Sequence, residues 1–202
     1  MSVTVNARMS DVGRWQPDSR GRLREAALAL YAERGFDQTT AAEIAARAGL
    51  TERTFFRHFA DKREVLFGGS DVLRERIVAG VTGAPSDAPA LVAVAHGLDA
   101  AAAMLGEGRR DLARQRHAVI AANPELRERE LAKLADYAAA VAAALRERGV
   151  TEPAASLAAD AGMTVLRVAL ECWAGDGDGD GRPLEAVIGE AVAELRAVAA
   201  GS

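Results

Sequence analysis

Residues 39–62, TTAAEIAARAGLTERTFFRHFADK, hold two short helical patterns that meet at Gly49. Thr40 and Glu43 stand three apart, the spacing of a capping box, in which hydroxyl and carboxylate each satisfy a free N–H at a helix start. Ile44, Ala45 and Ala48 then give an apolar stripe at helical spacing. Gly49 can take the left-handed conformation that ends a helix, and Leu50 is placed to pack into the corner. Thr51 caps the second helix, whose Phe55 and Phe59, four apart, face a core. Glu52, Arg53, Phe56 and Arg57 are left on the outside of a helix about two turns long. Such a helix can lie in a major groove and present its first turn to base edges. A third start signal follows at Asp61 and Glu64, and predicts one helix from Lys62 to about Val81.

The segment before this pair supplies what it lacks. Arg22 to Arg34 places Leu23, Ala27, Leu30 and Tyr31 on one face, and Gly35 stops it. Two short helices cannot bury their own apolar side, so this first helix is the natural lid.

The stretch AALALYAERGFDQTTAAEIAARAGLTERTFFRHFADKREVLF, Ala26 to Phe67, resembles the TetR (tetracycline-repressor-like) family of bacterial regulators. The resemblance runs from Leu-Tyr-x-x-x-Gly-Phe through Thr-Thr and Ile-Ala to Phe-x-His-Phe-x-x-Lys and covers roughly a quarter of the chain. It implies an all-α fold, with a three-helix DNA-binding head carrying the helix-turn-helix and a C-terminal helical bundle for ligand binding and dimerisation. It further implies a repressor that binds a palindromic operator as a homodimer and is released by a small-molecule effector. Two positions depart from the family. Arg53 stands where Gly is common, and Phe56 where a Tyr hydroxyl commonly meets a phosphate. Phe56 has no such hydrogen bond to make, so its ring could pack on sugar or a thymine methyl. Arg53 adds a charged fork for a guanine edge or a phosphate.

Thr40, Thr51, His58 and Lys62 are the expected phosphate anchors, through hydroxyls, a ring N–H and an ammonium. Glu52, Arg53, Thr54 and Phe56 are the expected base-edge readers, with Arg47 and Arg57 on the flanks. Thr40 and Thr51 could equally be caps and nothing more, and His58 could be packing. Arg14, Arg20 and Arg22 either reach along the DNA backbone or belong to a loose arm.

Size and composition fit this organisation. At 202 residues the chain has room for a small module and a larger helical domain, divided here into an arm (1–17), a head (18–64) and a body (65–202). Its 46 alanines and few aromatics favour close-packed helices over sheets. No apolar run is long enough to cross a membrane, and a single cysteine, Cys172, fits a reducing cytoplasm. Residues 1–64 hold 11 Lys/Arg and 9 Asp/Glu, whereas residues 65–202 hold 14 and 20, which sets a weakly basic head on an acidic body.

Beyond Val81 the turn signals predict helices over Pro89–Leu105, Arg109–Ala122, Pro124–Arg148, Thr151 (as cap) to Trp173, and Pro183–Ala200. The last two are apolar on more than one side, which calls for a partner outside the protomer. With the resemblance, they form a four-helix dimer interface; on residues alone, both faces could be buried within one subunit. The loop Asp176 to Gly181 opens like a calcium loop, but Val187 stands where the bidentate Glu belongs, so a linker is expected and no metal. His96, Met104, Arg116, His117, Tyr137, Met163, Arg167 and Trp173 are the polar or polarisable residues on otherwise apolar body helices. They are the candidates for the ligand cavity that the resemblance implies. No nucleophile elbow, phosphate loop or metal-ligand pair is present, so an enzyme and a resident cofactor are not expected. The competing reading is a helical interaction protein that has lost effector or DNA binding.

Overall fold

The computed structural model describes residues 18–105, 109–175 and 181–201, and every regular element among them is helical. In chain order these are α1 (Ser19–Arg34), α2 (Ala41–Arg47), α3 (Glu52–His58), α4 (Ser70–Gly83), α5 (Ala90–Leu105), α6 (Arg110–Ala122), α7 (Pro124–Glu147), α8 (Ala154–Ala174) and α9 (Leu184–Ala200). Residues 1–17, with Arg14, and Asp176–Asp180 of the acidic loop lie outside the described residues.

Two apolar clusters organise the chain. The first gathers Leu23, Leu30 and Tyr31 of α1, Ile44 of α2, Phe55 and Phe59 around α3, and Val65, Leu66 and Phe67. Fully burying each large side chain contributes about 1.5–3 kcal/mol, so the phenylalanines four apart anchor α3 firmly. This cluster also takes in Val119 and Ile120 of α6 and Leu126 of α7, so the body packs directly on the head. The second cluster joins α4, α5, α7, α8 and α9 through residues such as Ile77, Leu98, Val141, Leu166 and Ile188. Within it α4 and α5 touch at Gly80 and Gly97: a Cβ on Gly80 would fall 2.7 Å from the Cα of Gly97. Only glycine allows helices to approach that closely.

Two predicted starts are corrected. The helix expected from Lys62 to Val81 begins only at Ser70. Residues 62–69 form successive tight turns, with Leu66 N–H donating to Arg63 O and Phe67 N–H to Glu64 O. Asp61 caps these turns by accepting from the N–H groups of Arg63 and Glu64. Gly68-Gly69 breaks the run, Gly69 standing at φ 102° where a side chain would be strained. At α8, Thr151 is not the cap; the helix starts three residues later, and the Glu152 carboxylate accepts from Ser156 N–H.

Candidate nucleic-acid interface

The geometry of α2 and α3 follows from their ends. Thr40 accepts from Glu43 N–H at 3.2 Å while Glu43 Oε2 accepts from Thr40 N–H at 2.9 Å, which completes the capping box. Those contacts, the backbone N–H of Thr40 foremost, hold the Glu43 carboxyl below its ordinary range. At the far end of α2, Gly49 at φ 66° lets Leu50 N–H reach back to Ala45 O and Gly49 N–H to Ala46 O, a Schellman closure. Thr51 then accepts from Thr54 N–H at 3.2 Å and opens α3. The turn angle is thus set by backbone hydrogen bonds within a dozen residues.

Glu52, Arg53, Phe56 and Arg57 form the exposed face of α3. Phe56 stands 51% exposed, its ring edge-on to the buried Phe55 with centroids 5.3 Å apart. Neither Arg53 nor Arg57 makes a hydrogen bond or ion pair among the described residues. Thr54, expected on the same face, is half-buried, and its hydroxyl pairs with that of Thr51 at 3.0 Å.

The other cations of the head are occupied. The Lys62 ammonium donates to Phe36 O (2.8 Å), Asp37 O (3.2 Å) and Thr39 O (3.0 Å), and it lies 4.4 Å from the Phe36 ring centroid. An ammonium has three donors, so none remains for a phosphate and the expected anchor is an internal strut. Tyr31 completes the strut by donating to Lys62 O at 2.6 Å, and burial, helped by the Asp61 charge, raises its phenol well above the usual value. Arg47 forks onto Glu33 at 2.9 and 2.6 Å, and Arg34 pairs with Glu43 at 2.8 Å; both ties hold α2 against α1. Arg22 donates to Ala48 O, closing the end of α2 instead of reaching outward. His58, another expected anchor, turns its Nε2 into the head, where the atom is buried without a partner.

The seam between head and body is polar at its edge. Arg116 on α6 donates to Leu66 O and Glu130, and its guanidinium lies 5.3 Å from the Phe67 ring; Arg129 on α7 pairs with Glu64. These contacts were invisible in the sequence because the partners lie 50 and 65 residues apart. A cleft of about 610 Å³ opens between residues 31–38 and α6, lined by Phe36, Gln38, Arg114, Gln115 and Ala118 among others. None of the expected pocket residues lines it. Tyr137, Met163 and Trp173 are instead buried in the body core, and His96 is exposed on α5. Arg167 is tied to Glu171 one turn on at 2.8 Å, and Met104 and His117 are half-buried. Arg116 belongs to the seam.

Residues 23–67 match the family model described as bacterial regulatory proteins, tetR family. A transcriptional regulator of Streptomyces glaucescens, TcmR, is 35% identical over 68 residues, 34% of this chain and 30% of its own. The transcriptional repressor KstR2 of Mycobacterium tuberculosis is 45% identical over 47 residues, 23% of this chain and 24% of its own. The chain thus spans less than a third of the curated relatives it matches. Beyond the head the likeness is one of fold. The solved structure of Thermus thermophilus FadR, a TetR-family transcriptional repressor in complex with lauroyl-CoA, superposes with a TM-score of 0.52 over 88% of this chain and 93% of that one, at 24% identity. Among the described residues no helix is long and apolar enough to cross a membrane. The head is thus similar in sequence to tetR-family regulators over residues 23–67, and the described residues beyond it share the fold of the Thermus structure.

Proposed function

We propose that the protein is a sequence-specific DNA-binding transcriptional regulator, a repressor that holds a two-fold-symmetric operator as a homodimer and lets go when a small molecule binds its body. The observation that carries this reading is the outer face of α3. Two guanidiniums without internal partners and an exposed ring sit on a helix whose pitch and position are fixed by caps at both ends. The division into a head of residues 18–64 and a body of 65–202 belongs to the same proposal. In it the body does more than carry the head, because α6 and α7 grip residues 64–67. A ligand that shifts α6 would tilt α3 through those contacts, and moving two heads off a spacing of about 34 Å ends simultaneous binding.

Dimerisation is assigned to α8 and α9. Leu157 and Val168, about three turns apart on one face of α8, and Val198 of α9 are 65%, 37% and 67% exposed in the single chain. Large apolar side chains left open on two neighbouring helices support an interface there. For the effector, the lauroyl-CoA bound by the Thermus protein makes acyl-CoA thioesters the first class to try. Entry into this body would require parting α7 and α8 around Tyr137 and Met163, which are buried here.

The test is a gel-shift and footprint on the DNA upstream of the protein's own gene, with and without acyl-CoA. A protected, two-fold-symmetric site released by the thioester is expected. Binding no tighter than to random DNA would overturn the reading. Leu157→Glu is expected to sediment as a monomer with unchanged helix content and to lose cooperative operator binding.

A further inference from the structure

We propose that Phe56 reads the C5 methyl group of a thymine in each operator half-site, in place of a backbone contact; this rests on the DNA-binding reading above. Phe56 is the one aromatic among the large apolar side chains that are exposed in the described residues. Its ring stands edge-on to the core. It meets Phe55 at an interplanar angle of 83°, and Phe55 is fully buried and itself packed 5.7 Å from Phe59. The ring is therefore held half in water between Glu52, Arg53 and Arg57, all exposed.

An apolar ring in that setting has no hydrogen bond to offer a phosphate. The base-edge feature of a major groove that rewards apolar contact is the thymine methyl. The charges around it agree with a DNA occupant, since Arg53 and Arg57 have no partner among the described residues. Arg53 stands three residues before Phe56, so the two side chains leave the helix about 5–6 Å apart on one face. If Arg53 takes the paired acceptors of a guanine, that guanine and the thymine lie near each other in the half-site.

The experiment uses the full-length chain and a site recovered by selection from a random duplex pool. Each thymine is replaced in turn by uracil, which removes the methyl and leaves base pairing intact. The wild-type protein is expected to lose about four-fold in affinity per half-site at one thymine, the worth of one buried methyl group. Phe56→Ala is expected to bind more weakly and to ignore that replacement, while Phe56→Tyr, which keeps the ring, remains sensitive to it. Placing 5-methylcytosine instead of cytosine at the same position should recover about the same factor. If no thymine is sensitive in the wild type, the inference falls, and this holds whether or not the alanine variant folds. It also falls if the sensitivity survives in Phe56→Ala, because another side chain then meets the methyl. Failure to select any preferred DNA would overturn the regulator reading itself, a distinct result.

Discussion

On the α1–α2 side of the head Arg34 is paired with Glu43, Arg47 with Glu33 and Lys62 with three carbonyls, whereas on the outer face of α3 Arg53 and Arg57 have no partner among the described residues. A net charge summed over the head cannot distinguish these two populations. The first sets the shape of the head, and the second is available to a ligand. Binding strength therefore follows from which cations are free, and the weak positive sum of residues 1–64 is no obstacle to holding phosphates.

The largest expected effect is on the occupied side. Lys62→Met removes three charge-assisted bonds and leaves the carbonyls of Asp37 and Thr39 without a donor, at a cost of about 2–3 kcal/mol. Urea unfolding followed by circular dichroism reads it. The protein that remains folded is expected to keep the wild-type salt dependence of DNA binding. Unchanged stability with a salt slope reduced by about one would return Lys62 to the phosphate contacts and erase the contrast.

Arg53→Ala tests the other side. Stability is expected to stay within about 0.5 kcal/mol, as for an exposed residue without partners. Discrimination at one base pair is expected to relax by about 1–3 kcal/mol, measured by competition among single-substituted sites. A uniform loss across all sequences would show a phosphate contact instead. Tyr31→Phe comes next. It deletes the hydroxyl that donates to Lys62 O, and about 1 kcal/mol of stability should go with it, while operator preference stays as it was. Its effect should not add fully to that of Lys62→Met, because both act on one strut.

The contrast also explains which parts of the chain were legible from the sequence. The ends of α2 and the start of α3 are decided by Thr40, Glu43, Gly49 and Thr51, each acting within a few residues, so local spacing suffices to find them. The exposed face of α3 follows from the helical period once Phe55 and Phe59 are turned inward. The internal contacts of Lys62 are not legible because its acceptors lie 23 to 26 residues back, and no periodicity reports a carbonyl. The internal partners of Arg47 and Arg22 escape the sequence for the same reason: they sit on or beside the neighbouring helix. The break before α4 did have a signal, the Gly68-Gly69 pair, which apolar residues at helical spacing on both sides concealed. In the body, helix limits were readable from Gly and Pro. A pocket is a different matter, since it requires side chains from several helices to converge, and convergence is set by packing such as the Gly80–Gly97 contact.

The smallest expected effect is a dependence on pH at the turn that joins the two sides. Burial pushes the Asp61 carboxyl upward, but hydrogen bonds from the Arg63 side chain and from the N–H groups of Glu64 and Arg63 outweigh it and leave the group below its ordinary 3.8. A carboxyl depressed in the folded state adds stability that is fully present above its unfolded value and fades as pH falls through the folded one. Glu43 is shifted the same way, by Thr40, so two carboxyls at the ends of the 36–64 region act in one direction. Asp61→Asn should therefore be less stable than wild type at pH 7, and the gap should begin to narrow below about pH 4 and close only as pH falls through the depressed folded value. Asp61 and Arg63 are 35% and 45% exposed, so water screens the pair and the gap stays small beside that of Lys62→Met. Urea midpoints at about pH 7, 4 and 2.5 decide it. A gap that persists unchanged at the lowest pH would mean that Asp61 holds the turn by shape and not by charge, which would leave Lys62 as the cation on which the occupied side depends.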